Sequence, residues 1–235
     1  MDKLTRKELK SDKFVLEFEH SVEYVRGHRE QLVRWGIPAV VVVLIVVGIL
    51  YYRGYQHNVR QEALQSAMQI QNSTVGPAAS EYVVTFPTSQ ARETAVVKAW
   101  RDLAAKYPGT EEGGIAEFFL GTNAADQGNL PEAAKHFQAA IDTGSKPYAS
   151  QAKLALAQVY AAQGKLKDGE QLIQSVIDHP TVMVSKDAAT LALAELIKNS
   201  DPQRAKKLVD PLRTSTRSAV SKAAITLEAS LSQQK

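Results

Sequence analysis

The 235-residue chain carries 28 Lys plus Arg against 25 Asp plus Glu, a net charge of +3, with 44% hydrophobic and 23% charged residues. That composition belongs to a packed protein and excludes wholesale disorder, and the small net charge leaves no nucleic-acid footprint unless basic residues cluster. The absence of cysteine excludes disulfides, thiolate nucleophiles and zinc–thiolate sites, while leaving the compartment open.

The first 35 residues form a tail with eight basic side chains: Lys3, Arg6, Lys7, Lys10, Lys13, Arg26, Arg29 and Arg34. Within it Val15, Phe18, Val22, Val25 and Leu32 recur at 3–4 spacing, interrupted by Arg29, which predicts a helix with one apolar stripe. Such a stripe can lie on a membrane leaflet, pair with a partner helix or self-associate. A solvated helix continuing into the next segment fits equally.

Residues 36–52, GIPAVVVVLIVVGILYY, hold no charge. As a helix they cover roughly 25 Å, at the short end for a hydrocarbon core of roughly 30 Å. Trp35 on one side and Tyr51, Tyr52 and Tyr55 on the other sit where amphipathic rings favour the headgroup layer, and Arg34 and Arg53 can snorkel to it. Pro38 is expected in the first helical turn, where its missing N–H costs little. The run reads as a transmembrane helix. A cleaved leader is disfavoured by the long preceding segment and by YYRGYQHNVRQ, which offers no small-x-small site. Only Arg53 and Arg60 follow before Arg92, so the basic tail is placed in the cytoplasm and the roughly 180 residues beyond the span outside it.

Residues 53–235 are expected to form one helical-repeat domain. IAEFFLGTNAADQGNLPEAAKHFQAAI (115–141) and QAKLALAQVYAAQGKLKDGEQLIQSVI (151–177) superpose at a 36-residue offset that aligns Gly128 with Gly164, Leu130 with Leu166, Phe137 with Ile173 and Ile141 with Ile177. A third unit runs from Ala188 to Lys198, turns at Ser200-Asp201-Pro202, and continues through Ala205, Val209 and Leu212. Each unit reads as two apolar-striped helices joined by a tight turn, with Gly128 and Gly164 suited to the left-handed conformation after a helix end. Upstream, WRDLAAKYPGT (100–110) reads as the end of a second helix whose partner spans 58–72, with a Pro- and Gly-containing connection over 75–89. Residues 216–232 read as a terminal helix capping the last open face. The fold class is therefore all-α: one transmembrane helix followed by an α-solenoid with a C-terminal cap.

The pattern resembles the tetratricopeptide repeat. Leu120-Gly121, Gly128, Ala133, Phe137 and Ala140, then Ala157, Tyr160, Gly164 and Ile173, sit where that family keeps its small and large packing residues. The third unit departs, with Ser200 for the turn glycine and Val209 for the aromatic. The layout of short tail, single span, irregular first pair and about three repeats resembles the ancillary SecYEG translocon subunit family, the YfgM-like proteins. That resemblance implies a bacterial inner-membrane protein whose periplasmic repeats contact secretory chains and periplasmic chaperones beside the translocon.

By alignment with the repeat, the first-helix positions facing the groove are Phe118, Thr122 and Ala125, then Leu154, Gln158 and Ala161, then Thr190, Ala194 and Ile197. One class of tetratricopeptide domains clamps a terminal carboxylate there with Lys and Asn, and none stands at these positions. A neutral, apolar lining suits a protein segment with apolar side chains, and burial of some of these residues by neighbouring helices is the alternative.

No catalytic residue, cofactor or metal site is expected. His20, His28, His57, His136 and His179 form no ligand pair, His136 is expected to be exposed, and no G-x-S-x-G, P-loop or G-x-G-x-x-G occurs. Glu111 and Glu112 are expected at a helix entry, where carboxylates favour the dipole. Past the span 20 basic residues meet 18 acidic ones without interleaved aromatics, so Arg204, Lys206, Lys207, Arg213 and Arg217 read as a solvated face rather than a nucleic-acid site. Protein partners are expected, without a small-molecule substrate. Two other readings stay open: the scaffold of another envelope assembly, and a membrane receptor with cytosolic repeats.

Overall fold

The computed structural model describes residues 29–77, 83–144 and 146–233. Most of the expected amphipathic tail lies outside these residues. The chain divides into two compact units, Met1–Val59 and Arg60–Lys235. Nine α-helices occur among the described residues: α1 (Arg29–Gln71), α2 (Ser89–Lys106), α3 (Glu111–Asp126), α4 (Leu130–Asp142), α5 (Lys146–Ala162), α6 (Leu166–Asp178), α7 (Lys186–Ile197), α8 (Pro202–Val209) and α9 (Ser218–Gln233). A 3₁₀ turn at Asp210–Thr214 links the last two.

Helix α1 starts seven residues before the apolar run, because REQLVRW contains good helix formers and no breaker. Pro38 therefore lies in the helix interior rather than its first turn, and the Arg34 carbonyl lacks the i+4 amide it would otherwise receive. No break separates residues 53–57 from the expected first repeat helix, and the same helix runs to Gln71.

In the second unit, consecutive helices from α2 to α8 pack side by side, and first helices also touch, α3 on α5 and α5 on α7. The sequence dictates the turns. At the end of α3, Gly128 takes φ +74°, and the Asn129 amide donates back to the Ala124 carbonyl at 2.8 Å. Gly164 does the same at φ +78°, with Lys165 donating to Tyr160 at 2.7 Å. Each is a helix stop that only glycine adopts without a Cβ penalty. Ser200 cannot copy it. The third turn instead uses an Asp201 amide to Ile197 carbonyl bond at 2.8 Å, and the Asp201 carboxylate caps α8 by accepting from the Arg204 amide at 3.0 Å.

Packing follows the repeat. Phe137 is 2% exposed, and a Cβ on Gly121 would stand 2.7 Å from its ring, so α3 and α4 approach at a distance only glycine permits. Trp100 stacks on Phe119 with centroids 4.4 Å apart and donates its indole N–H to Gln71 Oε1 at 2.8 Å. The terminal helix packs on α8, on the 3₁₀ turn and on α7, and contributes Val220, Ala224, Leu227 and Leu231 to the core.

The connection after α1 holds a feature absent from the sequence reading: a two-stranded parallel pair, β1 (Thr74–Val75) with β2 (Thr85–Phe86), in register Thr74 to Thr85. Arg92 ties it down, its Nε donating to the Ser73 carbonyl at 2.7 Å and Nη2 to the Gln71 carbonyl at 2.6 Å. A cation on the last carbonyl of α1 and on the turn just after it both satisfies orphan acceptors and complements the helix dipole.

Candidate protein-binding surface

The nine expected groove residues fall into three groups. Gln158 alone is exposed. Phe118, Thr122, Ala125, Leu154, Ala161 and Thr190 are half-buried. Ala194 and Ile197 are instead completely buried, which corrects their expected groove position. The reason lies in its neighbours: α7 shares one core cluster with Ile173 of α6, Val209 of α8 and Leu227 of α9, which together close its face.

Contact between α3 and α5 and between α5 and α7 brings the first-helix positions of successive units into one row. Phe118 is committed to packing, with Tyr148, Phe119 and Phe137 centroids at 5.3, 5.6 and 5.8 Å. The Thr122 and Thr190 hydroxyls donate to carbonyls one turn back, at Phe118 and Lys186, and so spend their polarity locally. The row therefore offers mainly apolar side-chain flanks and one amide.

A different face holds an open depression of about 820 Å³ between α4 and the end of α5. Leu130, Pro131 and Ala134 supply apolar surface, while Lys135, Lys165 and Gln163 add polar heads. Tyr160 lies roughly 200° round α5 from Gln158, the exposed residue of the first-helix row, so this depression opens on a different side of that helix.

Glu111 and Glu112 stand in the first turn of α3, as expected, and Glu112 has a further role there. Glu112 is buried, its side chain 1% exposed, with Oε2 accepting from Arg60 Nε at 3.1 Å and Oε1 from Gln61 Nε2 at 2.9 Å. Burial opposes its ionisation. Hydrogen bonds from its own amide and from Gln61, together with the Arg60 charge, outweigh that and hold the carboxyl below its ordinary value. The pair joins the start of α3 to the C-terminal part of α1, a structural clamp beyond the helix-entry reading because its partners lie 51 and 52 residues away. His136 is half-buried rather than exposed, with Nδ1 2.6 Å from Glu117 Oε2 and Nε2 3.1 Å from Glu132 Oε1. Among the described residues no group of three or more His, Asp or Glu is arranged to hold a metal ion.

Fold and surface together define a helical-repeat protein preceded by a helix long and apolar enough to cross a membrane, with mean hydropathy 2.5 over its best window. Residues 31–147 match the model of the tetratricopeptide repeat-like domain, and residues 118–180 match that of the tetratricopeptide repeat. No curated protein and no solved structure matches the chain significantly. Tetratricopeptide-like repeats, whose general use is as scaffolds for protein interaction, are thus present.

Proposed function

We propose that the chain is a membrane-anchored, non-catalytic interaction module of a bacterial inner membrane, with residues 36–52 as the span and 53–235 as an extracytoplasmic repeat domain. Its finer role is that of an ancillary translocon component, similar to the YfgM-like family, holding secretory chains or periplasmic chaperones near SecYEG. The observation that carries the anchoring is the environment of α1. Trp35, Ile37, Val40 to Val47, Ile49, Leu50, Tyr51 and Tyr52 are all exposed, on every side of the helix. A helix apolar all round and covered by no other element among the described residues suits a hydrocarbon surrounding, which supports the anchoring. The repeats supply the interaction half of the reading.

The test is topology followed by capture. A single cysteine at Lys3 or at Lys235 is probed with a membrane-impermeant thiol reagent in spheroplasts, and no native thiol interferes. Labelling at Lys235 alone supports the proposal. Labelling at Lys3 alone puts the repeats in the cytosol and favours a receptor. Photo-crosslinking from Gln158 is expected to recover secretory chains, translocon subunits or chaperones. Recovery of another envelope assembly instead favours the scaffold reading.

A further inference from the structure

We propose that the depression between α4 and the end of α5 docks an acidic segment of a partner polypeptide. This deepens the interaction reading by naming a second face and the chemistry it selects. Charge carries the choice of occupant. Two ammonium groups, Lys135 and Lys165, line the depression, and no carboxylate does. Lys135 is shared with Glu132 on its own helix at 3.8 Å, an exposed contact of little strength. Lys165 has no carboxylate partner among the described residues and stands 5.6 Å over the Tyr160 ring.

Lys165 is also the N-cap of α6 and its side chain makes no capping bond; Asp168 in the first turn of that helix offsets its positive dipole end, so the two ammoniums carry the charge of the depression. Between them Leu130, Pro131 and Ala134 give apolar surface. The fitting segment therefore carries Asp or Glu beside aliphatic residues, its carboxylates meeting Lys135 and Lys165 and its apolar side chains lying on Leu130 and Pro131. Such docking is steered by charge and weakens with salt.

The test uses the full chain in zwitterionic lipid nanodiscs and fluorescence anisotropy. The probe is a fluorescein-labelled peptide of repeating Glu-Ala-Leu-Pro units, with its Lys-for-Glu counterpart as control. The acidic peptide is expected to bind about tenfold or more tighter than the basic one. That preference should shrink at high salt and fall about fivefold or more in K135E/K165E. K206E/K207E, which reverses as much charge elsewhere on the surface, is expected to leave it unchanged. Both lysines of the depression are exposed, and K165Q alone serves if the double variant does not fold. Equal binding of the two peptides, or unchanged binding by K135E/K165E or K165Q, overturns the proposal. If K135E/K165E still crosslinks secretory chains from Gln158 as wild type does, this face is not used in cells and the wider reading stands. If wild type crosslinks no protein, the wider reading falls independently of peptide binding.

Discussion

Replacing Gly121 with alanine sets two effects of opposite sign against each other. Gly121 lies inside α3, where alanine is favoured over glycine by about 1 kcal/mol of helix propensity. Against that, the new Cβ would stand 2.7, 2.8 and 3.0 Å from three atoms of the Phe137 ring. Carbon pairs settle near 3.5–4.0 Å, so about 0.8 Å must be opened. Phe137 is 2% exposed and walled in by Phe118 and the α5 residues Ala152 and Leu156, so its ring has little room to retreat. Overpacking of this kind costs about 1–3 kcal/mol, and the clash wins by about 1 kcal/mol. Urea unfolding of the full chain in mild detergent, read by Trp100 fluorescence in a Trp35→Phe background, is expected to give a lower midpoint at unchanged slope. Adding Phe137→Leu should recover part of the loss, with a coupling of at least about 0.5 kcal/mol. A Gly121→Ala variant more stable than wild type, or additivity with Phe137→Leu, would refute the close-approach argument.

Gly128→Ala meets no steric neighbour, yet its φ of +74° should cost about 1 kcal/mol through the backbone alone, read in the same assay. Glu112→Gln is expected to destabilise by about 2 kcal/mol at neutral pH, less than a fully buried pair because the Arg60 side chain is 24% exposed. The Glu112 carboxyl is held below 4.5, so its contribution is present above that pH and is lost as pH falls through the lowered value. Urea midpoints between pH 6 and 3 should accordingly fall less steeply in Glu112→Gln. Arg92→Ala removes two hydrogen bonds from the end of α1, and hydrogen exchange should show amides of residues 68–76 opening faster, at a cost of about 1–3 kcal/mol. Ile45→Arg places a charge mid-span at about 3 kcal/mol and should shift the chain from the membrane pellet to the soluble fraction after carbonate extraction.

Much of the architecture is written locally. The uncharged run 36–52 needs no partner to declare its preference, since transfer from water to hydrocarbon is a property of the segment itself. The 36-residue period, the turn glycines and the caps at Thr110, Asn129, Ser185 and Asp201 are likewise short-range, because helix ends are satisfied within a few residues. Candidate surface positions were harder to read. Repeat alignment placed Ala194 and Ile197 in a groove, and the packing of α6, α8 and α9 around α7 puts them in the core.

The remaining differences share that character. Arg60 and Gln61 meet Glu112 across more than fifty residues, Arg92 caps a helix ending twenty-one residues earlier, and β1 pairs with β2 across a connection with no strand period. His136 is held between Glu117 of one helix and Glu132 of its own, where the sequence showed only an isolated ring. Periodicity and end chemistry are carried by neighbours in the chain and so survive in the sequence alone. Burial, ion pairing and the closing of a face depend on which helix lands against which, and only the tertiary structure decided those.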